Sequence, residues 1–211
     1  MDDKRNLTTY RLWAPVYDYV MRPVYGRARR RAIELLNLQP GEKVLIPGIG
    51  TGLDLPLIPA GVQLTGIDLT PSMLEKARLK ADGRAVKLAV MNAQKLEFES
   101  SSFDAVILNL ILSVVPDGAA AFGEAWRVLR PGGRAVIFDK FLPESGKLTL
   151  FRSMLGRIIR IIGTDPNRRL SQLLCPSPDL NIILDAPSLL NGQYRIILLR
   201  KGAPSLEKSS S

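Results

Sequence analysis

The sequence predicts an α/β fold, a doubly wound and mostly parallel sheet that ends in an antiparallel C-terminal hairpin. Three observations predict it. Five short apolar runs alternate with helical or turn-rich segments between Lys43 and Lys140, as strands buried on both faces and joined by right-handed crossovers do. The first run, Val44-Leu45-Ile46, leads into a glycine-rich turn, Gly48-Ile49-Gly50-Thr51-Gly52. Near the C-terminus two apolar runs, about 180–185 and 193–200, flank Ala186 to Gly192, and Asn191-Gly192 is a hairpin signal.

The elements follow in order. Residues 1–9 are polar. Tyr10, Trp13, Tyr17 and Tyr19 crowd the next stretch, punctuated by Pro15 and Pro23. A helix is expected from Pro23 to Asn37, with proline in its first turn and Gln39-Pro40-Gly41 as its stop. Its apolar stripe is Val24, Ala28, Ala32, Leu35 and Leu36, surrounded by Arg22, Arg27, Arg29, Arg30 and Arg31. Two readings of this basic, aromatic start stand side by side: a membrane-surface anchor, or a cover helix with its arginines in water.

The first strand is expected at about 43–47, followed by a loop and helix from Gly48 to about Ile58. The second strand covers about 62–67, and Thr70-Pro71-Ser72 caps a helix to about Ala81. A third strand lies at about 85–91 and a fourth at about 104–110. Leu112 to Ala119 reads as a loop, Ala120 to Leu129 as a helix, and Arg130-Pro131-Gly132-Gly133 as a tight turn into a fifth strand at about 134–140. Residues 147–162 form an amphipathic helix with Arg152, Arg157 and Arg160 on its polar side. Residues 1–40 are expected as a helical cover, 41–201 as the main domain with the 147–162 helix inserted, and 202–211 as a disordered tail.

Composition narrows the chemistry. At 46% apolar and 23% charged residues, 211 residues suit one globular domain with a cover. Histidine is absent and Cys175 is the single cysteine, so a Ser-His-Asp triad, a His-ligated zinc and an intramolecular disulfide are excluded by count, and no metal is expected. The net charge of +9 favours an anionic partner. The N-terminus lacks the apolar core of a signal peptide and no apolar run spans a bilayer. The expected place is therefore the cytoplasm, with the inner face of the membrane open as a docking surface.

Lys43 to Asp68 has the layout of a nucleotide-binding βαβ unit. Glycines let the backbone approach a ligand, and an acid about 20 residues on accepts ribose hydroxyls. The alternative is a glycine turn that only reverses the chain. The spacing here is G-x-G-x-G, not the G-x-G-x-x-G of a dinucleotide site, and a Tyr-x-x-x-Lys pair is missing. On these residues the chain resembles the class I S-adenosylmethionine-dependent methyltransferases, a Rossmann-like family, and the resemblance covers about residues 10–200.

That resemblance implies S-adenosylmethionine as cofactor. It implies contacts from Gly48, Gly50, Thr51 and Gly52, from Asp68 on the ribose and Leu69 beside it, from Met73, Asn92 and Ala93 on adenine, and from Asn109 and Leu110 beneath the reactive methyl. The bland alternatives are a helix cap for Asp68, a turn for Asn92 and plain core for Met73. Two departures weaken the match: Ile46 stands where the family carries an acid, and Pro47 removes a strand N–H.

Tyr10-x-x-Trp13-Ala14-Pro15-Val16-Tyr17-Asp18, Ser113-Val114-Val115-Pro116-Asp117, the 147–162 helix and Leu173-Leu174 resemble bacterial phosphatidylethanolamine N-methyltransferases. The Tyr-Asp element is shared with quinone-biosynthesis C-methyltransferases. The resemblance implies a lipid or other apolar acceptor met at an anionic membrane surface. Tyr10, Tyr17 and Tyr25 are the candidates for orienting that acceptor, with packing of a cover helix as their alternative role, and arginines in 22–31 and 152–169 are the candidates for holding phosphate. Three functions are kept apart: a phospholipid-amine N-methyltransferase, a methyltransferase for a small apolar acceptor such as a quinone or thiol, and a non-enzymatic nucleic-acid binder. The last is disfavoured, because the basic residues lie on helices with wide apolar arcs and form no recognition module.

Overall fold

A computed structural model describes residues 25–142, 168–174, 177–190 and 192–202. The chain is helical over 25–35 (α1), then runs β1 (Lys43–Pro47), a single 3-10 turn (Leu55–Leu57), β2 (Gln63–Asp68), α2 (Pro71–Lys80), β3 (Val86–Val90) and β4 (Phe103–Asn109). It continues through α3 (Gly118–Val128), β5 (Leu129–Lys140), a one-turn α4 (Leu170–Leu173), β6 (Leu180–Leu189) and β7 (Tyr194–Lys201). The cover segment 1–24, the 147–162 helix and residues 203–211 lie outside the described residues.

The seven strands form one sheet in the order β3-β2-β1-β4-β5-β7-β6. β1 to β5 pair in parallel, and β7 runs antiparallel to both β5 and β6. The chain works outward from β1 through β2 to β3, then returns to lay β4 on the other side of β1. That reversal opens a crevice at the carboxyl ends of β1 and β4, where open α/β sheets bind ligands.

Strand alternation divides the core between the two faces. Val44, Ile46, Ala105, Ile107, Val136 and Phe138 pack with α1 (Ala28, Ala32, Ile33), with Leu36 just after it, and with α2 (Leu74, Ala77). Leu45, Val106, Leu108, Ala135 and Ile137 pack with α3 (Ala121, Phe122, Ala125, Trp126) and with Leu170 and Leu173 of α4. The central strands are buried on both faces, which is why they read as unbroken apolar runs.

The expected helix between the first two strands is reduced to the 3-10 turn. Pro56 and Pro59 leave too little chain with free N–H groups for an α-helical ladder. Arg84 instead donates to the carbonyls of Leu55 and Ile58, at 3.1 and 2.5 Å. The turn expected at Arg130–Gly133 lies inside β5. Phe103 pairs with Leu129 and Ala105 with Arg134, so residues 130–133 bulge out of the ladder, Gly132 at φ 78°. The third helix starts at Gly118, before the expected Ala120, because Asp117 caps it by accepting from Ala120 N–H at 2.9 Å. β6 extends to Leu189, so the hairpin turn is shorter than Ala186 to Gly192.

Candidate active site

The glycine loop leaves the carboxyl end of β1 and folds back toward β2. Ile49 N–H donates to Ile67 O at 2.9 Å, and Gly50 N–H donates to Asp68 Oδ2 at 3.0 Å. Loop and acid therefore meet. Gly50 (φ 56°) has open space where a Cβ would project, the nearest atom being Gly48 O at 4.0 Å. At Gly52 (φ 78°) a Cβ would lie 2.9 Å from Ala77 Cα. One glycine opens the loop to a ligand and the other seats it on α2. Thr51 is buried, and its hydroxyl accepts from Lys80 Nζ at 3.0 Å.

Asp68 Oδ1 accepts from Thr70 N–H at 2.9 Å, the start of α2. Burial pushes the Asp68 carboxyl above its ordinary value, against hydrogen bonds from Thr70, Gly50 and Leu69 that pull it back. A carboxylate offers about four lone-pair sites, and the N–H groups of Gly50 and Thr70 take one on each oxygen. Leu69 is half-buried beside it, and Met73 is buried on the first turn of α2.

At the end of β3, Asn92 Oδ1 accepts from both Gln94 N–H (2.9 Å) and Gln94 Nε2 (3.1 Å). The turn fills that oxygen, so Asn92 presents its NH2, a donor suited to a ring nitrogen and not to an exocyclic amino group. Ala93 is buried behind it.

At the end of β4, Leu110 adopts φ 59°, a strained value for a residue with a Cβ, and its N–H donates to Phe138 O at 2.7 Å. Asn109 is buried, and its Nδ2 donates to Asp54 Oδ1 at 3.1 Å. Asp54, 2% exposed, lies just past the glycine loop and also takes Arg29 Nη1 of α1 at 2.8 Å. Asn109 Oδ1 is buried with no hydrogen-bond partner among the described residues. Sequence reading missed Asp54 and placed Arg29 on a phosphate-binding surface. The available signal was a lone acid in the otherwise apolar Leu53-Asp54-Leu55-Pro56-Leu57.

The loop after β4 is tied down from two sides. Ser113 N–H donates to Asp139 Oδ2 at 3.0 Å, and Lys140 N–H to Asp139 Oδ1 at 2.8 Å. Asp139 is fully buried, and burial pushes its carboxyl up against those bonds. Arg168 donates to the carbonyls of Leu112, Val115 (2.6 Å) and Pro116 (2.7 Å). Arg168 is thus engaged internally.

Of the three candidate tyrosines, Tyr10 and Tyr17 lie outside the described residues. Tyr25 is half-buried at the start of α1. Its hydroxyl shares a 2.8 Å hydrogen bond with that of Tyr194, and its ring packs edge-on against Phe138 at 5.9 Å. Both contacts lie near the carboxyl end of β5.

Asn92, Asp68, the glycine loop and Asn109 stand in a row along the ends of β3, β2, β1 and β4. S-adenosylmethionine fits that row. The open face of Gly50, the carboxylate of Asp68 and the unmatched acceptor of Asn109 suit an extended ligand with hydroxyl and ammonium donors. No cluster able to hold a metal occurs among the described residues.

Residues 45–137 match the methyltransferase domain family. Over 197 residues the chain is 31% identical to phosphatidylethanolamine N-methyltransferase of Cereibacter sphaeroides, covering 92% of this chain and 96% of that protein. It is 34% identical over 161 residues to demethylmenaquinone methyltransferase of Thermus thermophilus, covering 71% and 73%. Among solved structures, an S-adenosylmethionine-dependent methyltransferase of Thermotoga maritima aligns with TM-score 0.67 at 17% identity, covering 92% of this chain and 99% of that one. The [4+2]-cyclase SpnF aligns with TM-score 0.69 at 18% identity, covering 84% and 80%. At such identities the structures speak for the fold alone, and the cyclase marks that a fold does not fix a reaction. Family match, near full-length relative and site geometry agree: the chain belongs to the class I S-adenosylmethionine-dependent methyltransferases and uses S-adenosylmethionine as its cofactor.

Proposed function

We propose that this protein N-methylates a phospholipid amine, of the phosphatidylethanolamine kind, at a membrane surface. The observation that carries the proposal is the extent of the likeness to the phospholipid enzyme, 92% of this chain against 71% for the quinone enzyme. The exposed arginines of α1, Arg27, Arg30 and Arg31, add to it by offering donors to phosphate. A second reading, methylation of a small apolar acceptor such as a quinone, is supported by the 34% identity to the demethylmenaquinone enzyme.

When bound, S-adenosylmethionine supplies a methyl group activated on a sulfonium sulfur. The protein aligns and excludes water. The glycine loop, Asp68 and the Asn109–Leu110 corner fix the reacting end, and Leu110, bonded to Phe138 O, shapes the floor. The loop at 112–116, held by Asp139 and Arg168, faces the acceptor. An alkylammonium titrates near pH 10, so a proton leaves before attack. With no histidine in the chain, a Tyr hydroxyl, Asp18, a backbone carbonyl or water takes it, and Tyr25, oriented by Tyr194, is the described candidate.

The test offers the purified protein labelled cofactor with phosphatidylethanolamine vesicles on one hand and a panel of quinones, thiols and other soluble acceptors on the other. Label in mono- and dimethylated lipid is expected. Label only in soluble products refutes the lipid acceptor and favours the second reading.

A further inference from the structure

Three backbone carbonyls of the loop after β4 converge on one side chain. Val114 and Val115 N–H both fold back on Ile111 O, at 3.1 and 3.2 Å. The loop therefore makes a single turn, and its remaining carbonyls need donors from elsewhere. Arg168 supplies them. Its guanidinium donates to the carbonyls of Leu112, Val115 (2.6 Å) and Pro116 (2.7 Å), which lie 56, 53 and 52 positions away in the chain. A planar fork of donors can serve three acceptors at once in one fixed geometry, which the ammonium of a lysine cannot. The seat is shaped for it. A Cβ on Gly118 would lie 2.5 Å from Arg168 Nη1 and 2.6 Å from Leu112 O, so α3 opens with the one residue type that leaves the guanidinium its room.

The backbone of Arg168 is placed by the continuation of β5. Leu142, two residues past that strand, donates its N–H to Arg168 O at 2.9 Å and bridges Arg169 in parallel. The end of β5 thus governs both sides of the loop. Asp139 takes its Ser113 N–H at 3.0 Å, and Leu142 places the residue that takes its carbonyls. We propose that Arg168 is a positioning residue for the methyl acceptor: it sets the path of residues 112–116, and through that path the distance and angle at which the acceptor meets the methyl group. A reactant misplaced by about 1 Å loses about a hundredfold in rate, so a loop pinned at three carbonyls bears on turnover more than on affinity for the cofactor. The inference rests on the reading that this loop faces the acceptor, and not on which acceptor it is.

Three variants of the full chain test it, each read by calorimetry with S-adenosylhomocysteine and by steady-state kinetics on phosphatidylethanolamine vesicles. Arg168→Met is expected to lower kcat by about ten- to a hundredfold and to leave S-adenosylhomocysteine affinity within about twofold. Arg168→Lys keeps the charge but not the fork, and is expected to recover only part of the rate. Gly118→Ala leaves Arg168 chemically intact while pushing its guanidinium off the carbonyls, and is expected to shift kcat in the same direction. It also guards against a Met variant that fails to fold. Wild-type kcat and acceptor KM in Arg168→Met, whatever its melting temperature, overturn the proposal, as does full recovery by Arg168→Lys. Equal loss of S-adenosylhomocysteine affinity and of turnover overturns it too, because Arg168 is then a brace for the whole site. A wild-type protein that binds S-adenosylhomocysteine and labels no lipid strikes the lipid reading instead, and the same three variants are then judged on the quinone panel.

Discussion

Gly50 and Gly52 sit two residues apart, both at positive φ, yet they do different work. A Cβ at Gly50 meets open space, while one at Gly52 meets Ala77 Cα at 2.9 Å. Gly50→Ala is expected to unfold only slightly more easily, by about 1 kcal/mol of left-handed strain, and to lose at least about tenfold in cofactor affinity because its methyl enters the ligand's space. Gly52→Ala is expected to lose several kcal/mol of stability through overpacking on top of that strain. Urea melts and cofactor titration of the two variants separate the roles, and a Gly50→Ala protein that binds normally contradicts the assigned face.

Asp68 titrates in the same neighbourhood. Its folded pKa is raised by burial, so proton uptake favours the folded state. Its contribution to stability is present below about pH 4 and is lost as the pH rises through the folded value. Ribose hydroxyls need the ionised form. Cofactor affinity is therefore expected to fall as the pH is lowered through that raised value, at a higher pH than an ordinary carboxylate would give, and Asp68→Asn should flatten the profile. Calorimetry between about pH 4 and 7 reads both.

Among elements, the connection from β3 to β4 has no helix, and α3 supplies its order. Arg127 donates to Leu96 O at 3.0 Å, Phe98 O at 2.8 Å and Ser100 Oγ at 3.3 Å, while Glu124 Oε2 accepts from Leu96 N–H at 2.6 Å and pairs with Arg127. The Arg127 hydrogen bond holds the Glu124 carboxyl below its usual range, against desolvation by burial. A depressed folded pKa stabilises above the unfolded value of about 4.3 and is lost as the pH falls through the folded value. Arg127→Met is expected to destabilise by about 1–2 kcal/mol at neutral pH, through carbonyls left without donors, and by less in acid. Denaturant midpoints at the two pH values check it.

At the scale of the whole molecule, a charge of +9 acts through where it is displayed. Arg29 turns inward to Asp54 and Arg168 to a loop, while Arg27, Arg30 and Arg31 face out. No helix among the described residues is long and apolar enough to cross a membrane. Adsorption of the protein to anionic vesicles is expected to weaken steeply between about 0.05 and 0.5 M salt, and Arg27→Glu with Arg30→Glu and Arg31→Glu to reduce it with cofactor affinity unchanged. Sedimentation with vesicles measures this, and an unaltered bound fraction contradicts a role for that face.

The sequence by itself determined the α/β sheet, the five parallel strands with their terminal hairpin, the glycine loop and its acid. Each of these is a local pattern: apolar runs mark strands buried on both faces, and glycine appears where the backbone must take positive φ or come close. It misjudged the helix after Gly52, where prolines remove ladder donors, and the turn at Arg130–Gly133, which the register with β4 absorbs into β5. Only the tertiary structure decided which polar residues face each other. Asp54 and Asn109 are 55 positions apart, Asp54 and Arg29 are 25 apart, and Ser113 and Asp139 are 26 apart. No period or spacing announces such pairs, because hydrogen-bond partners across a sheet are chosen by strand order and register, which arise only when the whole core closes.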